Sequence, residues 1–186
     1  HRVVERATAR IDRAHIVNSR AVAEHVVTAL GIARRRVHIV PPSLDPFPQR
    51  GDRAAARVAL GIPESEFVVA WVGRLDPVKR LELLVGCAER LSSIPARFLL
   101  VGDGPDRGRI EQLVRSSRAA RIVHLLGWRD DIPSVLSAAD AFLFPSRTEG
   151  MPNAVLEAMA CGLPIVGSDI PVLRELAGED ERLRLV

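Results

Sequence analysis

Short apolar runs alternate along this chain with longer stretches in which apolar residues recur every three or four positions. The runs near 15–18, 37–40, 67–73, 97–102, 122–126, 141–145 and 164–167 predict strands. The amphipathic stretches near 2–10, 19–30, 52–60, 79–92, 106–118, 132–138, 153–161 and 171–177 predict helices. Phe98-Leu-Leu-Val101 and Phe142-Leu-Phe144 are apolar without interruption, so burial on both strand faces is expected. Strand–helix alternation of this kind predicts βαβ units, hence an α/β fold with a parallel sheet between helix layers. Gly162 and Pro164 supply the stop for the helix that reaches Cys161.

One stretch breaks the pattern. Pro41-Pro-Ser-Leu-Asp-Pro-Phe-Pro48 carries four prolines in eight residues and suits neither helix nor central strand. It reads as a linker or hinge. Residues 1–40 hold too few elements for a core of their own and read as the tail of a domain whose bulk lies elsewhere. Residues 52–186 read as a nearly complete α/β domain, ending in a short apolar run from Leu183 to Val186 after which a further helix is expected.

Composition narrows the function classes. At 186 residues the chain is long enough for a sizeable core, and 47% apolar with 26% charged residues is ordinary for a globular protein. The formal net charge is only +3, and with no tyrosine a stacking platform for single-stranded nucleic acid is not expected. Cys87 and Cys161 both fall in helix-like stretches and read as small buried residues in a reduced, cytoplasmic setting. No apolar run approaches the ~20 residues of a membrane span. His1, His15, His25, His38 and His124 have no ligand spacing, so no metal site is expected. Arg34-Arg-Arg36 reads as a solvated face, with contact to a membrane surface as the alternative.

Candidate chemistry gathers where strands end. The chain has 26 basic residues, of which Lys79 alone is lysine. It closes Val72-Gly-Arg-Leu-Asp-Pro-Val-Lys79, and ligands of open α/β sheets bind beyond the carboxyl ends of strands. Arg74 offers a planar fork and Lys79 a point charge, together suited to a diphosphate. The alternative is a solvated loop with Arg74 paired to Asp76. Glycines in Val101-Gly-Asp-Gly-Pro105 allow a ligand close approach, or else simply make a turn. In Leu126-Gly-Trp-Arg-Asp-Asp131, Trp128 lines a base or sugar pocket or covers the sheet edge, and Asp130 or Asp131 is expected to cap the next helix.

The last segment is the most informative. Glu149-Gly-Met-Pro-Asn-Ala-Val-Leu-Glu157 places two carboxylates eight apart across a turn, with Asn153 as expected N-cap. Backbone N–H groups and two acids there suit a ligand bearing both phosphates and hydroxyls. Paired carboxylates serve either as acid and base or as hydroxyl acceptors that orient a sugar. Glu157 has a structural alternative at the helix start, whereas Glu149 has none.

Together these loops resemble the retaining nucleotide-sugar glycosyltransferases of the GT-B type, family 4 (group 1). The resemblance rests on Val72 to Lys79, Val101 to Pro105, Leu126-Gly-Trp128 and, above all, Pro145-Ser-Arg-Thr-Glu-Gly-Met-Pro-Asn-Ala-Val-Leu-Glu-Ala-Met-Ala-Cys-Gly-Leu-Pro164, which contains the family's Glu-x7-Glu pattern. Val17-Asn-Ser19 and Val40-Pro-Pro-Ser-Leu-Asp45 are similar to its domain junction, although the usual Pro-Asn-Gly-Val-Asp is altered. The resemblance implies a Rossmann-like three-layer sheet, the C-terminal half of a GT-B fold. Residues 1–45 would then be the tail of the acceptor domain plus linker, and 46–186 the donor-binding domain. It implies that Gly73, Arg74 and Lys79 hold the donor diphosphate and that Glu157 accepts ribose hydroxyls. Glu149 would contact the transferred sugar, and backbone around Gly150, Met151, Pro152 and Asn153 would face sugar and phosphate. Trp128 and Arg129 would flank the base. Arg74, Lys79 and Glu149 would carry catalysis, with neither metal nor cofactor. The partners implied are a nucleotide-sugar (UDP or GDP type) and a glycan or lipid-linked acceptor, in polysaccharide biosynthesis at the inner face of the cell membrane. The isolated fragment would bind donor without transferring sugar. A nucleotide-sugar epimerase, or a non-catalytic nucleotide-binding module, are the alternatives on the same architecture.

Overall fold

The computed structural model describes residues 13–43, 50–178 and 181–186. The helix expected over 2–10 and residues 44–49 of the proline-rich stretch lie outside the described residues. Strands β1 (His15–Val17) and β2 (Val37–Ile39) pair in parallel, with helix α1 (Arg20–Leu30) between them. Helix α2 (Arg53–Ala59) then leads into a six-stranded sheet. Its strands are β3 (Phe67–Val72), β4 (Ala96–Val101), β5 (Val123–Gly127), β6 (Ala141–Phe144), β7 (Ile165–Gly167) and β8 (Leu183–Leu185). The connecting helices are α3 (Leu81–Arg90), α4 (Arg107–Ser116), α5 (Ile132–Ala138), α6 (Asn153–Ala160) and α7 (Pro171–Ala177).

The sheet order is β5-β4-β3-β6-β7-β8, and every pair is parallel. The order reverses direction between β3 and β6, the switch point at which such sheets open a crevice beyond their strand ends. Strand β8, read in the sequence only as a short apolar run, extends the sheet beside β7.

The uninterrupted apolar runs follow from burial on two faces. In β3, Val68 and Ala70 join one core cluster while Val69 and Trp71 join another. In β4, Leu99 and Val101 face the first and Phe98 and Leu100 the second. Residues of α2, α5, α6 and α7 fill the first cluster, and residues of α3 and α4 the second. This is the expected three-layer arrangement.

Helix termini follow local chemistry in part. Asp52 caps α2 by accepting from the Ala54 and Ala55 N–H groups, and Ser19 caps α1 by accepting from Val22. Asp131 occupies the N-cap position of α5 but makes no side-chain cap bond, because its carboxylate is taken by Arg129. Asn153 is the first residue of α6 and does not cap it; Pro152 precedes it at the N-cap position. Of the two free cysteines, Cys161 is buried as expected and Cys87, on α3, is exposed.

A fully buried arginine anchors the start of the sheet. Arg57 donates from Nε to the Ala138 carbonyl, from Nη1 to the carbonyls of Pro63, Glu64 and Glu66, and from Nη2 to Asp140 at 2.6 Å. Asp140 also accepts from the Val68 N–H and from Arg53. Burial opposes ionisation of Asp140, yet these donors together hold its carboxyl below the usual range. A charge this deep is tolerated because each nitrogen of the guanidinium finds an acceptor and a carboxylate neutralises it.

Candidate functional site

The loops leaving β3, β4 and β5 are stitched together through backbone. Gly73 N–H donates to the Val101 carbonyl at 3.0 Å, Leu75 N–H to Asp103 at 2.9 Å, and Gly102 N–H to Gly127 at 2.7 Å. The glycines of the β4 loop serve this contact. A Cβ on Gly102 would stand 1.8 Å from the Gly73 carbonyl oxygen, at a φ of +132°, and one on Gly104 would stand 2.3 Å from the Leu75 oxygen. The close approach read from these glycines is therefore to the neighbouring loop.

Beyond the strand ends lies a cleft of about 410 Å³ lined by Val72, Gly73, Arg74, Val101, Gly102, Asp103, Trp128, Arg129, Ile132, Asn153, Ala154 and Glu157. Arg74 is exposed, and its side chain makes no ion pair among the described residues. Asp76, the partner considered for it, instead accepts from the Val78 N–H and caps a single 3-10 turn, Pro77–Lys79. Lys79 ends that turn rather than opening a helix; α3 starts two residues on, after Arg80 in the left-handed conformation at φ 52°.

Trp128 stands at the cleft with 75% of its surface exposed, so it does not cover the sheet edge. Arg129 is clasped by Asp131 at 2.7 and 2.5 Å, which fixes its guanidinium plane at the rim. Glu157 is the fifth residue of α6, past the first turn, so dipole complementarity does not account for it. Its carboxyl is half-buried, and that burial raises its pKa. The N–H groups of Met151, Asn153 and Ala154 make no hydrogen bond among the described residues, while the Met151 side chain packs on the core. Pro152 is buried and Gly150 half-buried.

Lys79 and Glu149 lie next to this cleft, not in its lining. The Lys79 Nζ is 2.5 Å from Glu149 Oε1 and 5.7 Å from the centroid of the Phe144 ring. The Arg147 N–H donates to the Val78 carbonyl at 2.9 Å, which ties the β6 exit loop to the turn that carries Lys79. The structure thus brings Gly73, Arg74, Trp128, Arg129, Asn153 and Glu157 into one cleft, and Lys79 and Glu149 into an adjoining pair. No group of three His, Cys, Asp or Glu side chains with a ligand-like arrangement occurs among the described residues.

A larger cleft, of about 880 Å³, runs between α3 and the outer side of β6 and β7, past Cys87, Leu143 and Val166. It is lined along α3 by Arg80, Glu82, Glu89 and Arg90 and reaches the ends of β6, β7 and β8, whereas the smaller cleft sits where the exits of β3, β4 and β5 meet α6. We therefore place the site at the smaller cleft. Among the described residues no helix is long and apolar enough to cross a membrane.

Residues 66–186 match the family "Glycosyl transferases group 1". The chain is 36% identical to the 2-deoxystreptamine N-acetyl-D-glucosaminyltransferase of Streptomyces fradiae, over 92% of this chain and 42% of that protein. It is also 36% identical to the D-inositol 3-phosphate glycosyltransferase of Mycobacteroides abscessus, over 92% of this chain and 40% of that one. It therefore spans about two fifths of the length of these curated relatives. The crystal structure of Anabaena HepE in complex with UDP-glucose superposes with a TM-score of 0.83 at 25% identity, covering 100% of this chain and 52% of HepE. The six-stranded parallel sheet of this chain matches the C-terminal domains of GT-B glycosyltransferases. By sequence and by fold the chain belongs to the group 1 glycosyl transferases.

Proposed function

We propose that this chain is the donor-binding part of a retaining glycosyltransferase of the family 4 type, which moves a sugar from a nucleoside-diphosphate sugar to a glycan or lipid-linked acceptor. The observation that carries the reading is the cleft itself: an unpaired Arg74 and a half-buried Glu157 face one crevice at the switch point of the sheet. The glycosyltransferase relatives, and a fold neighbour that binds UDP-glucose, support it.

The chemistry asks for two things. Negative charge develops on the leaving diphosphate, and fixed cations aimed at it lower the barrier. Arg74 is a planar fork for phosphate oxygens and Lys79 a point charge, so these two residues take that role without a metal or cofactor. Positive charge develops on the sugar, which Glu149 faces through its hydroxyls. Glu157 accepts from the ribose diol, since an ionised carboxylate offers two acceptor oxygens. The free N–H groups of Met151, Asn153 and Ala154 are donors for sugar and phosphate oxygens, and Trp128 and Arg129 flank the base. Attack on the same face from which the diphosphate leaves retains the anomeric configuration.

In this reading residues 1–45 close the acceptor domain and 46–186 form the donor domain. The acceptor is met by the other domain, so the fragment binds donor without transferring sugar. The full protein works in the cytoplasm, against the inner face of the membrane where the acceptor is lipid-linked. Calorimetric titration of the chain with UDP, GDP and ADP tests the reading, with Lys79→Ala as control. Micromolar binding of one nucleotide, weakened in the variant, is the expected result. Failure of all three against the full-length protein as well would overturn it.

A further inference from the structure

From the structure we infer that Asn18, contributed by the β1-α1-β2 unit, is a specificity residue that contacts hydroxyls of the transferred sugar beside Glu149; this rests on the functional reading above. Asn18 directly follows β1, at the carboxyl end of a parallel strand, the edge at which α/β sheets present ligand-contacting residues. Its carboxamide lies against the Glu149–Gly150 loop. A Cβ on Gly150 would stand 2.9 Å from Asn18 Nδ2 and 3.1 Å from Oδ1. The amide is half-buried, and its side chain makes no hydrogen bond among the described residues. It is thus a donor and an acceptor held at the loop that carries Glu149, with both functions open. A neutral carboxamide in that state matches a sugar hydroxyl, which donates and accepts, better than it matches a phosphate.

The position is fixed from behind. Ser19 caps α1, and the carboxylate of Glu175 on α7 accepts from the Arg20 N–H at 3.0 Å and the Ala21 N–H at 2.9 Å. This clasp links the residues directly after Asn18 to the large sheet. Glu175 is accordingly a positioning residue, acting through the start of α1.

The experiment is calorimetry on the full-length protein with UDP, GDP and ADP and with the glucose conjugate of each. Asn18→Ala is expected to leave the Kd of the free nucleoside diphosphate within about twofold and to weaken the conjugate by about fivefold, the loss of one hydrogen bond. Glu175→Gln is expected to shift the conjugate in the same direction by less. The unchanged diphosphate affinity also shows that the variants are folded. An Asn18→Ala protein that binds both ligands as the parent does overturns the inference and leaves the functional reading standing. Equal weakening of both ligands overturns it too, because Asn18 then acts on the loop as a whole. If the parent binds no nucleotide, the functional reading fails and the inference with it.

Discussion

Lys79 and Glu149, 70 residues apart in the chain, meet with the ammonium nitrogen 2.5 Å from a carboxylate oxygen. Both side chains are mostly buried, at 17% and 14% exposed. The pair joins the turn after β3 to the loop after β6, so the two groups proposed to meet diphosphate and sugar are held against each other.

That pairing sets up opposite effects from its two halves. Lys79→Ala is expected to weaken nucleoside diphosphate binding by ~1.5–3 kcal/mol, the loss of a charge-assisted contact. Glu149→Gln removes an anion that competes for the same ammonium, so free diphosphate should bind up to about fivefold more tightly, the worth of a modest ion pair. Titration of both single variants and the double variant measures the coupling. Loss of affinity in Glu149→Gln equal to that in Lys79→Ala would instead make Glu149 the support that keeps Lys79 in place.

Glu157 is expected to trade stability for binding. Burial raises its carboxyl above the ordinary glutamate range. The folded chain then keeps the proton over a window in which the unfolded chain has lost it, so stability falls as pH rises from about 4.5 through the folded value. Glu157→Gln removes that cost. Its melting temperature should exceed the parent's at pH 7, with the difference closing towards pH 4.5, while nucleotide affinity drops about tenfold. Glu157→Ala should also weaken free nucleotide more than Glu149→Ala does. A melting difference that does not depend on pH would contradict the burial argument.

Gly102→Ala places a methyl group onto the Gly73 carbonyl and demands a backbone conformation alien to alanine. We expect a loss of roughly 3 kcal/mol in urea unfolding. Arg74 follows Gly73, so the nucleotide site should also loosen. Gly86→Ala, on α3 with nothing within 4 Å of the added carbon, is the control and should be neutral or slightly stabilising.

Much of this fold was legible because the sheet is buried on both faces. Phe98-Leu-Leu-Val101 has to be apolar at every position, since alternate residues feed different cores. Strand β8 reads in the sequence only as a short apolar run, because a charged residue, Arg184, sits at its centre on the sheet edge. Asp131 has a capping residue's identity, but Arg129 two positions earlier outbids the helix N–H groups for its carboxylate. The residues of the candidate cleft were nameable from their loops. Their relations were not: a contact across 70 residues, the carbonyl that forbids a side chain at Gly102, and Arg57 hidden under four backbone carbonyls have no local signature.

Lys79 is also the sole lysine among 186 residues. Its ammonium is the one side-chain primary amine in this sequence, and it is engaged by a carboxylate. Amine-directed acylation therefore addresses a single interior position, and its rate reports how firmly that position is held. The chain carries its own chemical reporter where the turn after β3 meets the loop after β6.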